Sequence, residues 1–315
     1  MKNGEFAPAM ERYLASLPSS GKSENTIRTY RIALRKFSDY LSGKPESQNI
    51  TPDTVTDFRT AMFENGATVN TIRHTMVILH GFYRSPAAGR MNGKKNPVIY
   101  DDIPGEEPRE YNLLSKGMIL SLLAEKGDKS KKNSCRNTAL VVLLLQSGLR
   151  NSELRSLTPE DLDFRNGRIV VRHGKGNKRR IAPFPELSQR RVSEYLQTES
   201  RPKYCTDRDT LFGSTADENG RVGRGRWHPM SSDELNAIVK RFVFKVTGKD
   251  GIHAHTLRHA AASYWDDLGV PIRDVQNALG HSSVRTTEKI YISILDKEKS
   301  SSKILSAFDG GEEEQ

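Results

Sequence analysis

The sequence predicts a mostly α-helical protein with a small β-sheet, divided into two domains. Its 315 residues are enough for more than one hydrophobic core. Apolar residues recur at helical spacing over most of the chain, whereas residues 167–182 alternate like two strands around a glycine-rich turn. Residues 91–109 contain three prolines and two glycines without periodicity, which predicts an exposed linker between the domains.

The N-terminal region, residues 1–90, is predicted to be an all-helical domain. Its first clear helix spans residues 23–41, where the apolar side chains form one stripe and Ser23 fits an N-cap. A second helix is predicted to begin after Thr51, with a proline in its first turn, and a third to span residues 69–84. Each of these helices has one apolar face to bury, as expected of a small bundle.

Residues 110–315 are predicted to form a larger, mostly helical second domain. Residues 137–147 are apolar nearly all round, which predicts a buried core helix that ends at Gly148. The hairpin over residues 167–182 is the only clear β signal. Further helices are predicted at residues 113–124, 186–197, 233–246, 256–268, 271–279 and 300–308.

The chain has more basic than acidic residues, with 49 lysines and arginines against 39 aspartates and glutamates, and its net charge is +10. Such a balance favours a polyanionic partner, most often nucleic acid. Cys135 and Cys205 form no C-x-x-C pair, which argues against a disulfide framework and a zinc cluster. The N-terminus lacks the apolar core of a signal peptide, and the longest apolar run, residues 139–145, is too short for a bilayer. We therefore expect a soluble cytoplasmic protein with no membrane partner.

The predicted hairpin carries a run of basic residues with no acid among them. A run of this kind can be a solvated face, but the glycines at its tip let the backbone approach another surface closely. A phosphate backbone would fit such a surface. The basic residues of the run are Arg165, Arg168, Arg172, Lys175, Lys178, Arg179 and Arg180.

Two further segments hold side chains suited to phosphate chemistry. Arg150 follows the buried helix, and Glu153, one turn later, could orient it or could form an ordinary surface ion pair with it. In HAHTLRH, His255 and Arg258 share a helix face. His255 and His259 also have metal-ligand spacing, but no third ligand is evident. We therefore predict no metal and interpret His259 as a buried structural histidine.

The order of these segments along the chain resembles the tyrosine recombinase (phage integrase) family. GLRNSEL resembles the segment with that family's first arginine, and HGKGNKRRIAP resembles its β-hairpin lysine segment. HTLRHAAASY resembles its H-x-x-R box, and LGHSSVRTTEKIY resembles its second histidine and nucleophilic tyrosine, here His281 and Tyr291. The resemblance spans roughly residues 113–294, and SENTIRTYRIALRKFSDYL resembles the core-binding domain of the family.

The resemblance implies a helical core-binding domain over residues 1–90, a linker over 91–109 and an α+β catalytic domain over 110–315. It implies a site-specific DNA recombinase that integrates or excises DNA, such as a mobile genetic element, through a 3′-phosphotyrosine and a Holliday junction. The partner would be double-stranded DNA with a specific inverted-repeat site, bound at the nucleoid by a homotetramer on two duplexes. Residues 300–308 would dock on a neighbouring subunit, and no cofactor is expected.

The resemblance also implies a role for each site residue. Tyr291 would be the nucleophile, Lys175 would protonate the leaving 5′-oxygen, and His255 would accept the tyrosine proton. Two arginines would stabilise the transition state, and His281 would hydrogen-bond the scissile phosphate. The expected catalytic residues are Arg150, Lys175, His255, Arg258, His281 and Tyr291. The residues expected to contact DNA are Arg28, Arg31, Arg73, Arg172, Lys178, Arg179 and Arg180.

Ten residue steps separate His281 from Tyr291, one more than is usual in the family. On a helix the extra residue would turn the tyrosine by ~100°, unless residues 282–285 absorb it. One alternative is therefore a catalytically inactive, integrase-like DNA-binding accessory protein, and another is Xer-type resolution of chromosome or plasmid dimers. A relaxing topoisomerase or a telomere resolvase would differ in the compact N-terminal domain, and a metal-dependent nuclease would need clustered acids. Because the core-binding helices begin near the N-terminus, we expect no separate arm-binding domain.

Overall fold

The computed structural model describes residues 1–88, 96–99, 103–107, 114–172, 179–215 and 227–280. The chain divides into two units, Met1–Arg109 and Glu110–Gln315. Within the described ranges both units are mainly helical, and the second also has short antiparallel strands, which confirms the predicted fold class. No described helix combines the length and the apolar composition that a membrane span requires.

The described part of the first unit contains helices packed around an aromatic-rich core. Ser23, Thr51 and Thr68 each accept a hydrogen bond from the backbone N–H three residues later, and so satisfy a donor that the helix leaves unpaired. These caps confirm the predicted starts of three helices. The helices are α1 (Asn3–Ser16), α2 (Glu24–Ser42), α3 (Pro52–Glu64) and α4 (Val69–Tyr83).

Helix α1 is absent from the sequence-based prediction, because Pro8 lies inside it and a proline there removes a helical hydrogen bond. Aromatic packing compensates for that loss. The ring centroids of Phe6 and Phe37 lie 5.0 Å apart, and those of Phe6 and Phe82 lie 5.1 Å apart, edge to face in both pairs. All three rings are buried. Tertiary contacts therefore hold α1 where local propensity is weak.

The described residues of the 91–109 segment pack against the first unit. Val98 is 1% exposed and belongs to the core of that unit, so the prediction of an exposed linker is wrong at this residue. Asn96 Nδ2 donates to the carbonyl of His80 at 3.1 Å, and Arg73 Nη1 donates to the carbonyl of Pro104 at 2.5 Å. Pro97 is buried beside Val98, and two adjacent buried residues have no periodicity, which is why the sequence pattern does not reveal them.

The second unit is arranged around α6, which is buried on nearly all sides. It packs against α5, α8, α9 and α10, so an apolar sequence all round the helix is what this position requires. This confirms the predicted core helix. The helices are α5 (Lys116–Ala124), α6 (Ser134–Ser147), α7 (Asn151–Ser156), α8 (Glu186–Leu196), α9 (Ser232–Thr247), α10 (Ala254–Asp267) and α11 (Ile272–Leu279).

The strands of the described ranges form two small antiparallel sheets. The three-stranded sheet has the order β1-β2-β3, and the pairing of Val170 with Ile181 confirms the predicted hairpin. Strand β3 contacts α11, which brings Arg180 to the end of that helix. The hairpin tip, residues 173–178, lies outside the described residues. The strands are β1 (Leu162–Asp163), β2 (Arg168–Val171), β3 (Arg180–Pro183), β4 (Gly213–Ser214) and β5 (His228–Pro229).

Gly148 ends α6 in a left-handed conformation, with φ of 58°, where its N–H donates to the carbonyl of Leu144. A Cβ at this position would lie 2.7 Å from Leu279 Cδ2 and 3.0 Å from Trp265 Cη2. The glycine therefore serves two purposes, because it permits the positive φ and it lets the end of α6 approach α10 and α11 closely.

We expect Gly148→Ala to destabilise the second unit more than Gly248→Ala does. Gly248 ends α9 in the same way, with φ of 71°, but a Cβ there would meet no atom within 4 Å. Both substitutions incur the backbone cost of about 1–2 kcal/mol, and Gly148→Ala adds an overpacking cost of about 1–3 kcal/mol. Urea denaturation of the two variants measures the difference, and equal losses would contradict the steric argument.

Candidate active site

Arg150 lies in the short connection between α6 and α7. It is the N-cap residue of α7, and its backbone N–H donates to Glu153 Oε2 at 2.8 Å. Its side-chain Nη1 donates to Glu153 Oε1 at 2.6 Å. The Glu153 side chain is 1% exposed and that of Arg150 is 23% exposed, so this pair is partly buried and is not an ordinary surface ion pair. Glu153 therefore orients Arg150 through two separate bonds.

Glu153 also binds a second arginine and approaches a third. Arg180 Nη2 donates to Oε2 at 2.6 Å and Arg180 Nε donates to Oε1 at 3.3 Å, which is the two-pronged geometry that a guanidinium favours with a carboxylate. Arg258 Nη1 lies 4.0 Å from Oε2. We call Arg150, Glu153, Arg180 and Arg258 the arginine cluster. It contains three positive charges and one negative charge.

The three arginines also bind the carbonyl end of α11. Arg150 Nη2 donates to the carbonyl of Gly280 at 2.7 Å, and Arg258 Nη2 donates to that of Leu279 at 2.5 Å. Arg180 Nη1 donates to the carbonyl of Ala278. The last carbonyls of a helix have no partner within it and carry partial negative charge, so guanidinium groups stabilise them well. Three elements distant in sequence are thereby tied to one helix end.

Burial sets the electrostatics of the arginine cluster. The side chains of Arg150, Arg180 and Arg258 are 23%, 10% and 3% exposed, so Arg150 retains the most solvent access. Burial, followed by the charges of Arg150 and Arg180, lowers the pKa of Arg258 to about 9, against the opposing effect of Glu153. Arg258 therefore remains charged at neutral pH. Burial alone would raise the pKa of Glu153, but hydrogen bonds and charge from Arg180, with bonds from Arg150, lower it overall.

Arg258 and His255 lie one turn apart on α10, as their spacing predicts. Arg258 is buried and also donates through Nη1 to the carbonyl of Gly148, whereas His255 is exposed. The His255 and His259 rings meet edge to face with centroids 4.3 Å apart, and His259 is buried, as the sequence predicts. Within the ranges that the structure describes, no group of three or more His, Cys, Asp or Glu side chains could hold a metal ion.

Acidic side chains from outside the basic run pair with the described hairpin arginines. Arg168 Nε lies 3.0 Å from Asp163 Oδ2, and Arg172 Nε lies 2.5 Å from Asp161 Oδ1. Arg172 and Arg179 are exposed, whereas Arg180 is turned inward to the arginine cluster, and its expected contact with DNA stays a prediction. In β3, Arg180 alternates with the exposed Ile181 and shares a face with a buried alanine, a signal that the strand pattern contained.

Of the residues of the first unit expected to contact DNA, Arg28 and Arg31 are exposed on α2. Arg73, on α4, is half-buried and bonded to the Pro104 carbonyl. The remaining sites expected from the sequence, namely Lys175, Lys178, His281, Tyr291 and the helix at residues 300–308, lie outside the described residues. Gly280, which the arginine cluster binds, directly precedes His281.

We expect Glu153→Gln to lower the free energy of unfolding by about 3–5 kcal/mol at pH 7, because it leaves buried arginines without their counter-charge. The folded-state pKa of Glu153 lies below the ordinary value of 4.5. The charged Glu153 therefore contributes fully to the free energy of unfolding only above about pH 4.5. This contribution is lost as the pH falls through the folded pKa. Denaturation between pH 3 and 7 should therefore show the variant and the wild type converging at acid pH.

Glu186→Gln is the matched control, because the Glu186 side chain is 90% exposed and its Arg190 partner is 3.7 Å away. We expect no measurable change in stability from this control. A gap between Glu153→Gln and the wild type that stays constant from pH 3 to pH 7 would show that folding does not lower the pKa of Glu153.

Similar proteins agree with the fold. Tyrosine recombinase XerC of Bacillus licheniformis is 30% identical over 268 residues, which are 84% of this chain and 85% of that protein. The crystal structure of the XerH site-specific recombinase bound to palindromic difH substrate gives a TM-score of 0.70 at 21% identity, over 89% of this chain and 80% of that one. The structure of the Tn1549 transposon integrase in complex with transposon right end DNA gives a TM-score of 0.66 at 20% identity. The match covers 92% of this chain and 95% of that one.

Two family models match most of the chain. The model of the phage integrase N-terminal SAM-like domain matches residues 10–87. The model of the phage integrase family matches residues 114–298, which contain the whole arginine cluster. The chain therefore belongs to the phage integrase family, the tyrosine recombinases that cleave and rejoin DNA.

Proposed function

We propose that the chain recombines DNA at specific sites through a covalent bond between Tyr291 and DNA. The Tyr291 oxygen attacks a phosphodiester, forms a 3′-phosphotyrosine and releases a 5′-hydroxyl, and a hydroxyl from a second strand later reverses the step. The phosphotyrosine conserves the bond energy, so no ATP is needed. The observation that carries the proposal is the arginine cluster, where Arg150 and Arg258 meet at the helix end that leads directly into His281.

In this mechanism Arg150 and Arg258 stabilise the negative charge on the nonbridging oxygens of the phosphate. Both are preorganised, because Arg150 is held by Glu153 and Gly280, and Arg258 is held by the carbonyls of Gly148 and Leu279. A guanidinium has five N–H donors. The two bonds of Arg258 with described residues use two of its donors, and the remaining three suit a phosphate.

Proton transfers fall to residues near the attacking and leaving oxygens. Lys175, at the hairpin tip, protonates the leaving 5′-oxygen as general acid. His255 accepts the Tyr291 proton, and its exposed position one turn from Arg258 supports this role. His281 donates a hydrogen bond to the scissile phosphate. Two arginines and a lysine then supply the positive charge that the transition state needs.

The proposed partner is double-stranded DNA carrying an inverted-repeat site, bound in the cytoplasm at the nucleoid. Residues 1–90 act as the core-binding domain, where the exposed Arg28 and Arg31 suit phosphate contacts, and 110–315 as the catalytic domain. The net charge of +10 supports a polyanionic partner. A homotetramer on two duplexes would exchange the strands through a Holliday junction, either to integrate and excise a mobile element or to resolve dimers.

A second candidate function is DNA binding without cleavage. The observation that favours it is the ten-step separation of His281 and Tyr291, which on a helix would turn the tyrosine by ~100°. A nicked suicide substrate, made from the attachment site found beside the native gene, separates the two functions. We expect a protein–DNA band on a denaturing gel without added metal, and expect Tyr291→Phe to abolish it. Tight binding without a band in the wild type would instead support the accessory function.

We expect Arg150→Lys to slow cleavage of the same substrate by about 10²–10³-fold, because one ammonium cannot both bind Glu153 and donate in a fork to Gly280 and phosphate. Single-turnover gels at saturating DNA measure the rate, and Arg190→Lys is the control, since Arg190 is exposed on α8. The control should cleave like the wild type. A rate for Arg150→Lys within a few-fold of the wild type would exclude Arg150 from the transition state.

A further inference from the structure

Arg180 is bound within the protein through every nitrogen of its guanidinium. Nε and Nη2 donate to the two oxygens of Glu153, and Nη1 donates to the carbonyl of Ala278. The side chain is 10% exposed. No nitrogen of Arg180 is left without a partner in the protein, whereas the bonds of Arg258 with described residues use only its two Nη atoms. Arg180 is therefore less suited than Arg258 to bind a phosphate, although its place in the basic hairpin run suggests such a contact.

The aliphatic part of Arg180 packs on the glycine that ends α11. Gly280 has φ of 64°, and a Cβ on it would lie 2.5 Å from Arg180 Cδ. Arg180 thus contacts the last turn of α11 through Ala278 and the residue that ends the helix, Gly280. The next residue in the chain is His281, and the segment that follows carries Tyr291.

Glu153 joins this contact to the other arginines. It accepts bonds from Arg180 and from Arg150 at the same time, and Arg150 in turn holds the carbonyl of Gly280. Arg180, Glu153 and Arg150 therefore form a closed ring of contacts with the end of α11. The positions of Arg150 and Gly280 are therefore set together.

We propose that Arg180 is a positioning residue for the cleavage step, which fixes the start of the segment bearing His281 and Tyr291 relative to Arg150. This inference rests on the proposed function. Misplacing a reacting group by ~1 Å can slow a reaction about 10²-fold. Lysine cannot replace Arg180, because a single ammonium lacks the planar fork that reaches Glu153 and Ala278 together.

The test combines Arg180→Lys with His281→Ala in a double-mutant cycle. Single-turnover cleavage of the suicide substrate at saturating DNA should fall about 10²-fold in Arg180→Lys. The double variant should be close to the slower single variant, because both substitutions act on the same segment. DNA affinity and its salt dependence should stay as in the wild type. Arg190→Lys, an exposed arginine on α8, is the matched control and should change neither quantity.

Arg180→Met provides the complementary binding test, because it removes the charge that lysine keeps. We expect its DNA affinity to keep the salt slope of the wild type, since Arg180 makes no phosphate contact. Weaker binding, together with a slope of log binding constant against log salt concentration that is smaller in magnitude by about one, would show that Arg180 contacts a phosphate directly. That result would overturn the proposal. Additive effects of Arg180→Lys and His281→Ala, or wild-type cleavage in Arg180→Lys, would overturn it as well.

Hydrogen exchange of the free protein separates this inference from the proposed function, because it needs no cleavage. Peptides that cover residues 272–291 should exchange faster in Arg180→Lys than in the wild type, and peptides from α8 should not change. Unchanged exchange over 272–291 would refute the positioning role even if the enzyme cleaves DNA. If the wild type forms no covalent complex, the proposed function fails, and the exchange result still decides whether Arg180 holds this segment.

Discussion

The site depends on one interaction, the burial of the Glu153 carboxylate among three guanidinium groups. A buried charge is tolerated when it is paired and hydrogen-bonded, and Glu153 accepts bonds from Arg150 and Arg180 while Arg258 lies 4.0 Å away. The dependence is mutual, because three arginines packed together repel one another, and the pKa of Arg258 is lowered first by burial and then by that repulsion. Glu153 is thus the counter-charge that lets α7, β3 and α10 present arginines to one place.

The second constraint is steric and concerns the end of α11. Three side chains reach its carbonyls, and neighbouring side chains pack directly on the backbone of Gly148 and Gly280, where a Cβ would collide with them. The helix end supplies partial negative charge at the point where guanidinium groups converge. Electrostatics and close packing therefore favour the same arrangement, and consistency of this kind gives a site a single defined geometry.

Local pattern was enough to predict most helices, because caps such as Ser23 and the all-round apolar α6 are local features. It was not enough for α1, where Pro8 hides a helix held by tertiary aromatic contacts, or for Val98, which is buried without periodicity. The prediction that Arg150 and Arg258 lie in one site rests on the family resemblance and not on their spacing in the sequence. The local pattern does not predict the inward position of Arg180, because its partner, Glu153, is 27 positions away in the chain.

The arginine cluster holds more positive than negative charge in a buried place, and this excess has a consequence for function. In the free protein the excess is offset in part by the carbonyls of Ala278, Leu279 and Gly280, which are dipoles and not full charges. An anionic phosphate entering beside Arg150, the most exposed of the three arginines, would lower the repulsion among them. The positive charges that repel one another in the free protein would then favour binding of a phosphodiester. Removing positive charge from the arginine cluster would relieve the repulsion but would also weaken its attraction for an anion, and functional sites commonly retain such a local conflict.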